Sequence, residues 1–255
     1  VFDALNAGAV DFVTKPDMNK PGGMSSFINE LIIKIKIASI AKVGTNQKEY
    51  MPLKSTGHTE FRKDMIIAIG ASTGGTEAIC EVIKSLPEDM PGIVVVQHMP
   101  PVFTRMYAER LNSTCLLEVK EAQNGDRICP GRVLIAPGDF QMKAERNGGS
   151  YYVKCYKGEK VNGHCPSVDV LFDSVAEAAG HQAIGVILTG MGGDGAKGLL
   201  NMKKKGAYTL GQDEKTSVVY GMPMVAFNIG AVQKQVPLNR MSEAICDFLM
   251  LYSGR

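Results

Sequence analysis

Apolar positions along the chain follow two different periods. Short, unbroken runs of apolar or β-branched residues occur at 66–69, 93–96, 133–135, 184–188 and 208–210. Between several of them, apolar residues recur every three or four positions, at 76–84, 104–112, 167–179 and 196–205. The first pattern is that of strands covered on both faces, and the second is that of helices with one buried face. Their alternation predicts an α/β fold over 64–255: three layers, doubly wound around a mostly parallel, Rossmann-like sheet. Residues 141–156 break the pattern. Two alternating segments there flank Arg146-Asn147-Gly148-Gly149-Ser150, which predicts an added β-hairpin.

Upstream the texture changes. Residues 44–63 show no period and carry Pro52, Gly57 and several lysines, the composition of a linker. Residues 1–43 hold a short apolar stretch, Asp11-Phe12-Val13-Thr14, which predicts a strand, then Lys15-Pro16 and a Gly22-Gly23 turn. A helix is expected from about Ser25 to Val43, although Ile33-Lys34-Ile35-Lys36-Ile37 alternates as a strand does. The sequence opens on Val1 inside a helical pattern, as a truncated chain would.

Composition narrows the function classes. The 255 residues are 45% hydrophobic and 21% charged with a formal net charge of +2, which fits a globular protein and disfavours a nucleic-acid binder. Six scattered cysteines form no C-x-x-C pair, so neither a zinc site nor a disulfide framework is expected, and a reducing cytoplasm fits best. No apolar run approaches the roughly 18 residues of a membrane span, so direct membrane insertion is not expected.

The candidate chemistry starts where the first buried run ends. Gly70-Ala71-Ser72-Thr73-Gly74 is a G-x-S-x-G between a predicted strand and a predicted helix, a context in which the turn lifts a serine hydroxyl clear of a sheet. Gly70, Gly74 and Gly75 also resemble a loosened phosphate-binding loop, and a purely structural turn is a third reading. A nucleophilic serine needs a base, normally histidine. Of the four histidines, His58 falls in the linker and His181 at a helix end, where a cation suits the helix dipole. His164, in Asn162-Gly163-His164-Cys165-Pro166, could line a site or only a turn. His98 ends the second buried run and so shares with Ser72 the carboxyl edge where open sheets place ligands. The acid that orients such a histidine could be Asp194, among the glycines of Leu188-Thr189-Gly190-Met191-Gly192-Gly193-Asp194-Gly195, or Asp169. Each also reads as a helix-start residue. Backbone N–H groups at Thr73 and in the Met191 turn are the candidate oxyanion donors. The order serine, histidine, acid differs from that of the α/β-hydrolases.

These residues together resemble the bacterial chemotaxis receptor methylesterases of CheB type. The segments that carry the resemblance are Ile69-Gly70-Ala71-Ser72-Thr73-Gly74-Gly75, Val96-Gln97-His98-Met99, Pro166-Ser167-Val168-Asp169-Val170-Leu171-Phe172, the Leu188 to Ala196 glycine loop, and Gln212-Asp213-Glu214 through Ser217-Val218-Val219-Tyr220-Gly221-Met222-Pro223. The resemblance implies a cofactor-free serine hydrolase that removes methyl esters from glutamate side chains of methyl-accepting chemoreceptor cytoplasmic domains, releasing methanol. It also implies a glutamine deamidase activity through the same acyl-enzyme. Ser72 would attack, His98 would act as base and then acid, Asp194 would orient His98, and Thr73 and Met191 would support the oxyanion. Met224 and Cys165 stand where relatives often carry a basic residue, which bears on substrate docking.

Asn6-Ala7-Gly8-Ala9-Val10-Asp11-Phe12-Val13-Thr14-Lys15-Pro16 is similar to the end of a receiver domain, with Lys15 at the position that contacts a phosphoryl group. Residues 1–43 are therefore expected to be a receiver fragment lacking the phospho-acceptor aspartate and a complete core. The full-length form would be a response regulator partnered by a chemotaxis histidine kinase. Two rivals remain at this point. A short-chain-dehydrogenase-like NAD(P) enzyme would need a helical Tyr-x-x-x-Lys, for which Tyr156 and Lys160 offer the spacing; a non-catalytic docking module would need no hydroxyl at Ser72.

Overall fold

The computed structural model describes residues 1–16, 23–42 and 64–253. It divides into two units, Val1–Lys48 and Glu49–Arg255. In the first, α1 (Phe2–Asn6) is followed by an extended segment and then α2 (Gly23–Ile40). The strand expected at 11–14 is not formed, because a strand exists only by pairing its backbone with a neighbour and no other strand occurs among the described residues of this unit. Lys34 takes hold of the segment instead, its Nζ donating to Phe12 O and to Asp11 Oδ1, the latter at 2.9 Å. The alternation at 33–37 gives way to helix: Ile37 is buried while Ile33 and Ile35 face solvent. The 44–63 segment with His58, and Gly22 of the expected turn, lie outside the described residues.

The second unit contains the alternation read from the sequence. Its strands are β1 (Ile66–Ala71), β2 (Gly92–Gln97), β3 (Glu118–Glu121), β4 (Arg127–Ile128), β5 (Arg132–Ile135), β6 (Gln141–Asn147), β7 (Ser150–Tyr156), β8 (Ala183–Ile187), β9 (Tyr208–Gln212) and β10 (Lys234–Val236). Seven form one sheet in the order β10-β9-β8-β1-β2-β5-β3, with every pairing parallel. The expected hairpin is β6–β7, closed by Asn147 opposite Ser150, and β4 joins it to make a separate antiparallel sheet.

The central strands are buried along their whole length, which is why they read as unbroken apolar runs. The helices of this unit are α3 (Gly75–Lys84), α4 (Phe103–Thr114), α5 (Val168–Ala179), α6 (Ala196–Lys204), α7 (Met222–Asn228) and α8 (Met241–Ser253). Ile66, Ala68, Val94 and Val96 point into one core with Leu171, Phe172 and Val175 of α5, Leu199 and Met202 of α6, and Met142 and Val153 of the small sheet. The alternate strand positions, Ile67 and Ile69, point to the opposite face, where α3 packs against α4 and α8. Each fully buried isoleucine contributes about 1.5–3 kcal/mol.

β1 is the strand from which the sheet winds in both directions, towards β2, β5 and β3 on one side and β8, β9 and β10 on the other. Its carboxyl end is therefore a topological switch point, where the connections diverge and leave a crevice. Ala71 pairs with Gln97 and Gly70 with Ile187, so Ser72, His98 and the loop after Leu188 leave the sheet at the same edge.

Candidate active site

The turn that carries Ser72 is set by close packing. Ser72 N donates to Thr189 O at 3.0 Å, Gly75 N returns to Ser72 O at 2.8 Å, and Gly74 adopts φ +76°, a left-handed conformation suited to glycine. The space a Cβ would take at Gly70 is filled by Val168, at Gly74 by Val218 and at Gly75 by Gln97 and Ala71. Protein side chains occupy the positions that a phosphate loop would leave to its ligand. The dinucleotide reading fails a second time at Tyr156 and Lys160: Tyr156 ends β7, and Lys160 lies in a loop, so no helical Tyr-x-x-x-Lys exists among the described residues.

His98 follows β2 directly, its N–H donating to Ala71 O at 3.2 Å. Its side chain is 8% exposed, and Nε2 lies 2.8 Å from Asp194 Oδ2. An ionised carboxylate accepts only, so Nε2 carries the proton and Nδ1 carries the lone pair. That Nδ1 is buried and has no hydrogen-bond partner among the described residues, the Ser72 hydroxyl included. Serine–histidine contacts at such sites often tighten only once substrate is bound. Between the two residues, the buried amide of Gln97 donates through Nε2 to Ser72 O at 2.8 Å and to His98 O at 3.2 Å, which ties the two strand ends together.

Asp194 accepts from five donors. Besides His98, Oδ2 accepts from Val168 N at 2.7 Å, while Oδ1 accepts from Ser167 Oγ at 2.7 Å, Asn162 Nδ2 at 2.8 Å and Asp169 N at 3.3 Å. The aspartate thus caps the N-terminus of α5, the preceding helix in the chain, and not α6, which its sequence position suggests. Burial pushes its carboxyl up, but the hydrogen bonds from His98, Asn162 and Ser167 outweigh that and hold it well below the usual carboxylate range. It is a fixed anion at the back of the imidazole.

Asp169, the rival acid, does not meet His98. Its carboxylate accepts from Gly198 N and Asn162 Nδ2, each at 2.7 Å, and burial raises its pKa. His181 is exposed in a 3-10 turn, Gly180–Gln182, away from the site. His164 stacks on His98 with ring centroids 3.6 Å apart and planes 8° from parallel. Burial and the adjacent His98 push its imidazole down to about 4.

Thr73 is buried directly behind Ser72. Met191 is exposed at the mouth of the crevice, and its backbone N–H bonds to no described residue. Gly190, beside it, has no room for a side chain: a Cβ there would sit 2.7 Å from Ser72 Cβ and 2.4 Å from Met222 Sδ. Among the described residues no group of three or more His, Cys, Asp or Glu side chains is placed to hold a metal.

Comparison with known proteins places this crevice in a family. The family described as CheB methylesterase matches residues 67–245, which include Ser72, His98 and Asp194. The chain belongs to that family. A protein-glutamate methylesterase/protein-glutamine glutaminase of Syntrophomonas wolfei is 61% identical over 245 residues, covering 96% of this chain and 72% of that one. One of the same name from Salmonella typhimurium is 47% identical over 240 residues, covering 94% and 69%. The crystal structure of the Thermotoga maritima CheB methylesterase catalytic domain superposes with a TM-score of 0.71 at 40% identity, over 72% of this chain and 98% of that domain.

In this methylesterase-family domain, sequence reasoning missed Gln97, Asn162 and Ser167. Ser167 precedes α5 and has the appearance of an ordinary N-cap, yet its hydroxyl serves Asp194. Asn162 sits in a turn with φ +52°, and only the fold shows that its amide spans two carboxylates. The nearest signal was that Asn162 and His164 share one short loop with Ser167 close behind.

Proposed function

We propose that Ser72, His98 and Asp194 form the catalytic triad of a protein-glutamate methylesterase. The observation that carries this is the state of His98: Nε2–H is anchored on an ionised Asp194, the buried Nδ1 has no hydrogen-bond partner among the described residues, and the backbone of His98 is bonded to Ala71, the residue before Ser72. A desolvated acceptor costs free energy unless it has a use, and accepting a serine proton is such a use.

Ser72 Oγ attacks the ester carbonyl carbon of a methylated glutamate side chain while Nδ1 takes the hydroxyl proton. The backbone N–H groups of Thr73 and Met191 receive the developing oxyanion. On collapse the C–O bond to methoxide breaks, His98 returns the proton to it, and methanol leaves an acyl-enzyme on Ser72. Water then attacks, His98 takes its proton, and release of the carboxylate gives Ser72 its proton back. A glutamine side chain passes through the same acyl-enzyme with ammonia as the leaving group, giving deamidation.

The substrates on this reading are the cytoplasmic domains of methyl-accepting chemoreceptors, met in the cytoplasm. Among the described residues no helix is long and apolar enough to cross a membrane. Residues 1–43 are read as the end of a receiver domain, 44–63 as its linker and 64–255 as the catalytic domain. In a full-length response regulator of this two-component type, the partner is a chemotaxis histidine kinase. The test is methanol release from methylated receptor by the full chain and by Ser72→Ala. Release should fall by at least about a thousandfold in the variant, and release that persists in Ser72→Ala contradicts the proposal.

A further inference from the structure

Residues Val161 to His164 form a four-residue turn closed by two backbone hydrogen bonds, Val161 N to His164 O at 3.0 Å and His164 N to Val161 O at 2.9 Å. Gln141, itself buried, holds the turn from below, its Nε2 donating to His164 O at 3.3 Å. The turn touches the site twice. Asn162 donates to Asp194, and the His164 ring lies flat against the His98 ring. The His164 ring nitrogens make no hydrogen bond to any described residue, so the contact of its face with His98 is the ring's principal engagement with the site.

We propose that His164 is a positioning residue for His98, its ring face fixing the plane of the base and lying against the positive charge as that charge forms. The inference rests on the assignment of His98 as the base. Two physical consequences of the stack support it. A ring hydrogen-bonded at Nε2 alone can still rotate about that bond, and a parallel neighbour at 3.6 Å removes the rotation, so Nδ1 keeps one direction. When Nδ1 accepts the serine proton, His98 becomes an imidazolium pressed on the π-face of a neighbouring ring. A cation over an aromatic face is attracted to it, whereas the neutral ring before proton transfer gains less. An interaction stronger in the transition state than in the ground state lowers the barrier without tightening substrate binding.

The test uses the full chain with His164→Ala, which removes the face, and His164→Phe, which keeps a face without ring nitrogens. Three quantities are measured: kcat and KM for methanol release from methylated receptor, the unfolding temperature, and the downfield proton resonance of His98 Nε2–H. His164→Ala should lower kcat about tenfold with KM changed less than about twofold, and His164→Phe should recover most of the loss. The Nε2–H resonance should broaden in the alanine variant and sharpen again in the phenylalanine variant. Alanine and phenylalanine variants that lose kcat equally overturn the inference. So does a lowered unfolding temperature with kcat intact, or an Nε2–H resonance that alanine leaves unchanged. Failure of the underlying assignment is distinguishable, because a wild-type chain that releases no methanol contradicts the esterase reading, while the resonance still reports on the stack.

Discussion

At the scale of single residues, the site is organised around a carboxylate that would ordinarily be protonated or paired with a metal when buried this deeply. Asp194 stays ionised because five donors converge on its two oxygens, two of them backbone N–H groups at the start of α5. Replacing it by asparagine removes the charge and offers His98 an amide, which can select the wrong tautomer. Asp194→Asn should therefore lower kcat by about three to four orders of magnitude, measured as methanol release. The folded carboxyl ionises below its unfolded value, so its contribution to stability is complete above the ordinary carboxylate range and is lost as pH falls through and below it. In urea unfolding, the stability advantage of wild type over Asp194→Asn should narrow below about pH 4; an advantage that widens on acidification contradicts the assignment. The placement of Ser72, His98 and Asp194 at one edge of the sheet was legible in the sequence because each ends or follows an apolar run. Gln97, Asn162 and Ser167 were not, because a polar side chain that serves another residue leaves no periodic trace.

At the scale of elements, three strand ends and one helix start build the site. The buried strands were readable because both faces of a central parallel strand are covered, so apolar residues run without interruption. The edges were not: β3 reads Glu118-Val119-Lys120-Glu121, and β10 is Lys234-Gln235-Val236. A short edge strand with charged residues keeps neighbouring chains from pairing with it, and that same chemistry hides it from a hydrophobic pattern. The strand expected at 11–14 failed for the converse reason, since an apolar run becomes a strand only beside another strand. The glycine loop after β8 comes close enough to the Ser72 turn that Gly190 is a packing requirement. Gly190→Ala should displace Ser72 and cut methanol release by at least about a hundredfold, while the sheet core, remote from this loop, keeps far-ultraviolet circular dichroism unchanged. Full activity in Gly190→Ala would contradict the close approach.

At the scale of the whole molecule, stability is concentrated in the second unit. The large buried side chains of the central sheet and its covering helices all fall within it, whereas the buried apolar residues described in the first unit are Phe2, Leu5 and Ile37. Several isoleucines of α2, including Ile32, Ile33 and Ile35, face solvent. Amide hydrogen exchange should therefore be slow in β1, β2 and β8 and faster by several orders of magnitude in α1 and α2; equal protection in both units would contradict this division. The central claim concerns one atom, the Ser72 hydroxyl, made nucleophilic by His98, whose buried Nδ1 has no hydrogen-bond partner among the described residues. It is tested most directly by treating the full chain with a fluorophosphonate, which phosphonylates activated serines, and mapping the adduct by mass spectrometry. A single adduct on Ser72, formed by the wild type and lost in His98→Ala, is the predicted result. An adduct on another serine, or labelling of Ser72 that is undiminished without His98, would contradict the account.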